Sequence, residues 1–343
     1  MAEKKSAGGA VKAWLKLVRI EHALMSCVGV GIAMLLAIKQ PYIIPNLSMH
    51  ASAEFGFWPA PPLLAWLLAL AVPFFINISS FALNDYFDIE ADRKNGQLKR
   101  PLVSGALKPS VALWTAILGY AIGMLAGWLL NPVCGTIATI FTLLSIAYNY
   151  KLKDWPLVGN AYIALSMAIA FLFGAGAVMS KNDGLTGLLA MMTSFGWTTP
   201  LVLLFSPLFL IFSDGMPATI LWLTAGAFFA GLAREIIKSV QDMEGDKKAR
   251  NSKHLPILIG AQNALAVASV CVVGYSVCVA QLAGLMKDQP LTQFLLILSG
   301  AAYAAIALVL WKWAEKDYML ELARKASLYA LMLALVAMLV GAI

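Results

Sequence analysis

Charge is scarce in this chain: Asp, Glu, Lys and Arg make up only 13% of its 343 residues, against 61% hydrophobic ones. So little charge cannot cover a water-facing surface of this size, which argues against an ordinary soluble domain. The same composition excludes a disordered chain. Histidine and cysteine are also sparse, with three and four copies. His22, His50 and His254 stand apart without an HxxxH pattern, which argues against a zinc site. Cys27, Cys134, Cys271 and Cys278 lie inside apolar runs without CxxC spacing, so they read as buried thiols rather than a disulfide framework. The chain has no P-loop, no GxSxG elbow and no dinucleotide glycine pattern following a strand.

What the chain does have is length of apolar sequence, with a mean hydropathy of +0.79. Runs able to cross roughly 30 Å of hydrocarbon occur at 22–38, 63–84, 111–130, 133–150, 158–179, 217–237, 257–283, 291–311 and 325–343. They lack the short alternating pattern of a membrane barrel, so helices are expected. The fold class is therefore all-α: a polytopic membrane protein of nine helices in one bundle, around a central cavity open to the cytoplasmic side and to lipid. Residues 1–21 form a cytoplasmic and interfacial segment, too basic for a signal peptide, and 22–343 a single transmembrane domain with outer loops at 39–62 and 180–216. The apolar stretch 197–213, broken by Pro200 and Pro207, reads as an external interfacial or re-entrant piece. Gly119, Gly123 and Gly127, spaced by four, suit close helix packing, and Pro73, Pro109 and Pro290 read as helix-start or kink residues.

The net charge of +7 would invite a nucleic-acid partner in a soluble protein, but its distribution says otherwise. Of 25 Lys and Arg residues, 22 fall on one side of the alternating spans, leaving Lys39, Lys181 and Lys287 on the other. That bias makes the first side cytoplasmic, with the N-terminus inside and the C-terminus outside a cell membrane. Membrane lipid, and no nucleic acid, is the expected surrounding.

Two acidic segments break the apolar pattern, both at cytoplasmic helix ends. The second span closes on Asn84-Asp85-Tyr86-Phe87-Asp88-Ile89-Glu90-Ala91-Asp92. On a continuing helix Asn84, Asp88 and Asp92 form one polar stripe, whereas Asp85 and Glu90 face elsewhere. Like charges at that spacing repel unless a cation lies between them, and hard oxygen ligands suit Mg²⁺ bound through a substrate phosphate. A solvated acidic helix end is the bland alternative. The sixth span closes on a second such segment, from Arg234 and Lys238 to Asp242 and Asp246, again spaced by four. Each is followed by a related tail, Lys99-Arg100-Pro101 and Lys253-His254-Leu255-Pro256, a short sign of internal duplication. Facing carboxylates could hold two or three divalent cations around a diphosphate. Lys94, Arg100, Arg234 and Lys238 beside the stripes, with Tyr148 and Lys153 in the intervening cytoplasmic segment, are the expected substrate contacts. Phe87, Tyr148 and Tyr150 offer ring faces for an allylic cation.

The pattern Asn84-Asp85-x-x-Asp88-x-x-x-Asp92 with Asp242-x-x-x-Asp246 resembles the UbiA-type intramembrane prenyltransferases, over roughly residues 10–343. The surroundings of the second motif look most like the archaeal branch that makes digeranylgeranylglyceryl phosphate. The resemblance implies magnesium-dependent transfer of a polyprenyl group from its diphosphate to a lipid acceptor, with Asn84, Asp88, Asp92, Asp242 and Asp246 as the metal-binding catalytic set. An aromatic acceptor such as 4-hydroxybenzoate or a naphthoate is the alternative within the family, and a cation-coupled transporter the alternative outside it. One departure is Ser239, where relatives often carry a further Asp one turn before Asp242. Either Asp242 and Asp246 alone complete the metal set, or Glu235 or water substitutes.

Overall fold

A computed structural model describes residues 7–39, 62–94, 96–178, 217–243, 255–313 and 317–343. The outer segment 197–213, most of the loop at 39–62 and Asp246 lie outside the described residues. Among the described residues, twelve α-helices occur in chain order: α1 Ala7–Val18, α2 Ile20–Lys39, α3 Pro62–Phe87, α4 Ile89–Lys94, α5 Pro109–Leu130, α6 Pro132–Tyr150, α7 Val158–Ala177, α8 Ala218–Gln241, α9 Leu255–Ile259, α10 Ala261–Leu285, α11 Pro290–Trp313 and α12 Asp317–Ala342. A 3₁₀ turn at Leu152–Asp154 links α6 to α7. Among the described residues, eight helices are long and apolar enough to cross a bilayer; α11 contributes a shorter apolar stretch, Pro290–Ile306.

Helix starts follow local chemistry. Pro109 and Pro132 occupy first-turn positions, where the missing N–H removes no helical hydrogen bond. Asn131 caps α6 by accepting from the Cys134 N–H at 2.8 Å, and its amide donates to the Gly176 carbonyl at 2.8 Å, tying this start to the end of α7. Pro73 is interior to α3 rather than at its start, because the helix begins a full three turns earlier at Pro62. Polar groups gather around it: Asn77 donates to the Pro73 carbonyl at 2.8 Å and Cys27 to the Leu70 carbonyl at 3.3 Å.

The helices close around a centre. α2 packs on α3 and α7, α3 on α5, α5 on α6, and α7 on α8; α8 continues to α10, α10 to α11 and α11 to α12, which returns to α8 and α2. Lipid tails give helices no hydrophobic reason to associate, so small residues and polar cross-links carry the packing. A Cβ on Gly119 would collide with the Ser79 hydroxyl of α3, and one on Gly123 would lie 2.9 Å from Ile76. Gly127 serves the α5–α6 contact instead, against Ala138 and the Cys134 carbonyl. Gly174 of α7 sits where a Cβ would stand 2.5 Å from the Val30 carbonyl oxygen of α2.

One cross-linking device occurs twice. Tyr120 of α5 meets Ser145 of α6 at 2.6 Å, and Tyr275 of α10 meets Ser299 of α11 at 2.6 Å. Each tyrosine follows a glycine that abuts the preceding long helix: Gly119 against α3, Gly274 against Phe229 of α8. The order α3, α5, α6 is thus echoed by α8, α10, α11, as the related tails suggested.

The N-terminal segment is more than an interfacial strip. α1 and α2 are separated at Arg19, which has φ 46°, and α1 lays fully buried Leu17 and Val18 against the bundle. The Trp14 indole donates to Thr115 of α5 at 3.1 Å, and Lys16 to the Lys99 carbonyl at 2.9 Å.

Gly174→Ala should lower the melting temperature of the detergent-solubilised protein by the equivalent of about 1–3 kcal/mol, since backbone rather than a flexible side chain blocks the new methyl. Gly284→Ala, where nothing lies within 4 Å of the added atom, should leave it unchanged or slightly raised.

Candidate active site

The acidic stripe on the first segment survives the end of α3. The Asp88 N–H donates to the Asn84 carbonyl at 3.0 Å and the Asp92 N–H to the Asp88 carbonyl at 2.8 Å, so helical register carries across the step into α4. Asn84, Asp88 and Asp92 therefore share a face, and all three line one cavity of about 890 Å³. On the second segment the continuous helix stops at Gln241, leaving Asp242 as its C-cap residue, with φ −85° and ψ −3°. Asp242 lines the same cavity. The two acidic ends thus face one space, at the upper end of the size range usual for small-molecule sites.

Buried carboxylates need compensation, and the site supplies it from separate elements. Asp88 is 6% exposed and pairs with Lys153, from the 3₁₀ turn after α6, at 2.5 Å. Asp92 is 5% exposed and pairs with Arg100 at 2.8 Å. Asp85 lies outside the cavity wall yet is equally buried, gripping Arg100 at 3.0 Å and Arg19 at 3.5 Å. It acts as a strut: one carboxylate holds the α1–α2 break and the loop after α4 against the end of α3. Arg19 also stacks on the cavity-lining ring of Phe81, at 4.8 Å to the centroid.

The opposite wall is built by α8. Glu235 is buried, with Arg234 and Lys238 each 3.9 Å from its carboxylate. Ser239 donates to the Glu235 carbonyl at 2.9 Å and accepts from the Asn160 amide of α7 at 3.1 Å. The serine is therefore a polar link between α7 and α8. Beyond these groups the cavity becomes apolar and aromatic, with Val30, Val72, Ile137, Phe141 and Phe173 on its wall.

Of the residues expected from sequence, Asn84, Asp88, Asp92, Arg100, Tyr148, Lys153, Arg234, Lys238 and Asp242 all line this cavity. Lys94, on α4, is exposed and stands outside the wall, because it follows the stripe by two residues and falls on the outer face of the helix. Phe87 and Tyr150 are also outside, 43% and 72% exposed and in edge contact with each other at 6.2 Å. The ring that faces inward is Tyr148, stacked on Tyr162 at 4.6 Å, with both on the wall. Sequence reasoning passed over Arg19, His22, Asn149, Asn160 and Arg324, which the fold brings to the cavity from the α1–α2 break and from α2, α6, α7 and α12. None carried a signal in the sequence; Arg324 directly precedes the 325–343 apolar run and reads as an ordinary cytoplasmic charge.

Among the described residues no three His, Cys, Asp or Glu side chains converge as a closed metal cage. Magnesium does not need one: it keeps water and binds through one or two carboxylates plus substrate phosphate oxygens. The all-oxygen donors Asn84, Asp88, Asp92 and Asp242 around a shared space fit that mode.

The sequence profile of the UbiA prenyltransferase family matches residues 43–328. The chain belongs to that family. Its relatives include the digeranylgeranylglyceryl phosphate synthase of Archaeoglobus fulgidus, 31% identical over 76% of this chain and 70% of that protein. The synthase of Methanococcoides burtonii is 30% identical over 97% of this chain and the whole of its own length. Solved structures share the fold. One, described as digeranylgeranylglyceryl phosphate synthase in membranes, has a TM-score of 0.68 at 23% identity, covering 97% of this chain and 98% of its own. An Archaeoglobus fulgidus UbiA homologue bound to GPP and Mg²⁺ has a TM-score of 0.55 at 18% identity, covering 95% and 99%.

Asp85→Asn should weaken the strut and lower stability by about 1–3 kcal/mol, its two arginines being partly hydrated and able to recover some solvation. Glu90→Gln, on the exposed face of α4, should not, and parallel thermal melts in detergent would show the contrast.

Proposed function

We propose that this protein transfers a geranylgeranyl or similar polyprenyl group from its diphosphate to the hydroxyl of geranylgeranylglyceryl phosphate, with Mg²⁺ as cofactor. The observation that carries this reading is the meeting of Asn84, Asp88 and Asp92 with Asp242 across one cavity whose remaining wall is apolar and aromatic. A charged head and a long hydrocarbon tail need those two surfaces side by side. The names of the archaeal relatives supply the acceptor.

The metal set would be Asn84, Asp88, Asp92 and Asp242, completed by Asp246. Bound there, Mg²⁺ supplies neutralisation of the charge that grows on the departing diphosphate. The protein's own groups do the rest. Lys153 and Arg100 hold Asp88 and Asp92 in place and, once those carboxylates are otherwise engaged, donate to diphosphate oxygens. The bond from the allylic carbon to the diphosphate oxygen breaks, and the stacked Tyr148 and Tyr162 rings present π faces to the positive charge left on carbon. The acceptor oxygen then forms the ether bond and passes its proton to an oxygen of the released diphosphate. Asn160 and Ser239 supply polar positions that orient the hydroxyl. The dry apolar wall keeps water from taking its place.

In the membrane, nine crossings, with α11 as the ninth, place the N-terminus and the cavity mouth at the cytoplasmic face and the C-terminus outside, with 22–343 as a single domain. The charge bias supports that orientation.

Asp88→Asn should cut product formation by about 100-fold or more while the protein still inserts and folds, because one ligand charge is lost without breaking an apolar span. The assay is purified protein with geranylgeranyl diphosphate, Mg²⁺ and geranylgeranylglyceryl phosphate, followed by product mass. Parallel reactions take 4-hydroxybenzoate and a naphthoate. Product with an aromatic acceptor alone would overturn the assignment, and full turnover by Asp88→Asn at limiting Mg²⁺ would remove its role.

A further inference from the structure

The cations of the cavity fall into two groups with different partners. Arg100 and Lys153 are consumed by Asp92 and Asp88 on the α3–α6 side. On the other side, Arg234 and Lys238 of α8 and Arg324 of α12 line the same cavity from two helices that pack together. Glu235, 3.9 Å from both Arg234 and Lys238, is the carboxylate that the structure sets against this second group. Counted with Asp242, which lines the cavity one turn beyond Lys238, the described cavity-lining residues of α8 and α12 set three cations against two carboxylates.

Their depth is informative as well. Arg234 precedes Asp242 by eight residues, about 12 Å along the helix, and Arg324 lies seven residues into α12, about 10 Å from its start. Arg234 falls within the 217–237 apolar run, where an arginine is costly and marks a polar ligand or pathway, whereas Arg324 stands at the polar edge of the 325–343 run and still lines the cavity. The Arg234 Nε is buried without a hydrogen-bond partner, and the side chain is 24% exposed, so this guanidinium has donor capacity that the protein itself leaves unused. His22 of α2 stands within electrostatic reach of Arg234 and Lys238 on the same wall.

We propose that Arg234, Lys238 and Arg324 form a separate subsite for a phosphate monoester, the charged head of the lipid acceptor, distinct from the carboxylate-lined diphosphate subsite. The inference rests on the proposed function and deepens it by saying where the acceptor's head is read. A phosphate monoester carries close to two negative charges near neutral pH and presents three oxygens to planar guanidinium forks. An aromatic carboxylate carries one. Glu235 keeps Arg234 and Lys238 from binding the anion too tightly, while the donor's diphosphate is held past Lys238, between the Asp88 and Asp242 ends of the cavity. Arg324 is a binding residue in this scheme and takes no part in breaking the allylic bond.

The test uses the purified full-length protein with geranylgeranyl diphosphate and Mg²⁺, varying donor and acceptor separately. Arg324→Gln should raise KM for geranylgeranylglyceryl phosphate about tenfold or more while KM for the donor stays within about twofold. Arg324→Lys should recover much of the loss, and thermal melts check that both variants are folded. Geranylgeranylglycerol, which lacks the phosphate, should be a poor acceptor for the wild type and equally poor for Arg324→Gln. A defect confined to the donor's KM, or an equal loss by the variant on both acceptors, overturns the assignment while leaving the proposed function standing. Wild-type turnover of an aromatic acceptor with none of the glyceryl phosphate refutes the proposed function, and this subsite with it.

Discussion

Everything in this protein depends on keeping opposite charges together in a place where isolated ones would be intolerable. Asp88 and Asp92 are nearly buried carboxylates at one end of an apolar bundle, and each is stabilised by a cation delivered from a different segment. Remove the pairing and each carboxylate either takes up a proton or draws in water. Both outcomes defeat a site that must present fixed negative charge beside a dry hydrocarbon wall. In the proposed reaction this pairing would be exchangeable, Lys153 and Arg100 being freed for anionic substrate once Asp88 and Asp92 hold the metal.

The scaffold that holds these charges relies on close approach rather than on apolar attraction. Glycines at the α3–α5, α5–α6 and α2–α7 contacts let backbones come within reach, and hydroxyl pairs such as Tyr120 with Ser145 and Tyr275 with Ser299 lock the approach. Because the same arrangement serves both halves, the ends of α3 and α8 arrive at the cavity in comparable settings. The halves differ in what surrounds the carboxylates. The first is balanced by tight ion pairs, the second carries surplus positive charge and a serine in place of a further acid, and this asymmetry suits a site with two unlike anionic ligands.

Helical register explains which side chains were foreseeable. Asn84, Asp88 and Asp92 lie four apart, and the hydrogen bonds from Asp88 and Asp92 back to the preceding turn keep that spacing meaningful through the end of α3. Lys94 shared the neighbourhood but not the face. Phe87 and Tyr150 failed as cavity rings for the same reason, whereas Tyr148, two residues before Tyr150, faces inward. Asp85 looked idle from its position on the helix, and its worth became visible only when α1 and the loop after α4 folded back to bring Arg19 and Arg100 to it.

The amino-acid sequence by itself determined the apolar helices, the charge bias that orients them and the acidic stripes at their ends, because hydrophobicity, helical period and charge are properties of neighbouring residues. Tertiary structure alone decided which cation each carboxylate received, that the two acidic ends share a cavity, and that Arg234, Lys238 and Arg324 line it as well. Those are contacts between segments far apart along the chain. They arise from which helices pack together, and no local pattern encodes that choice.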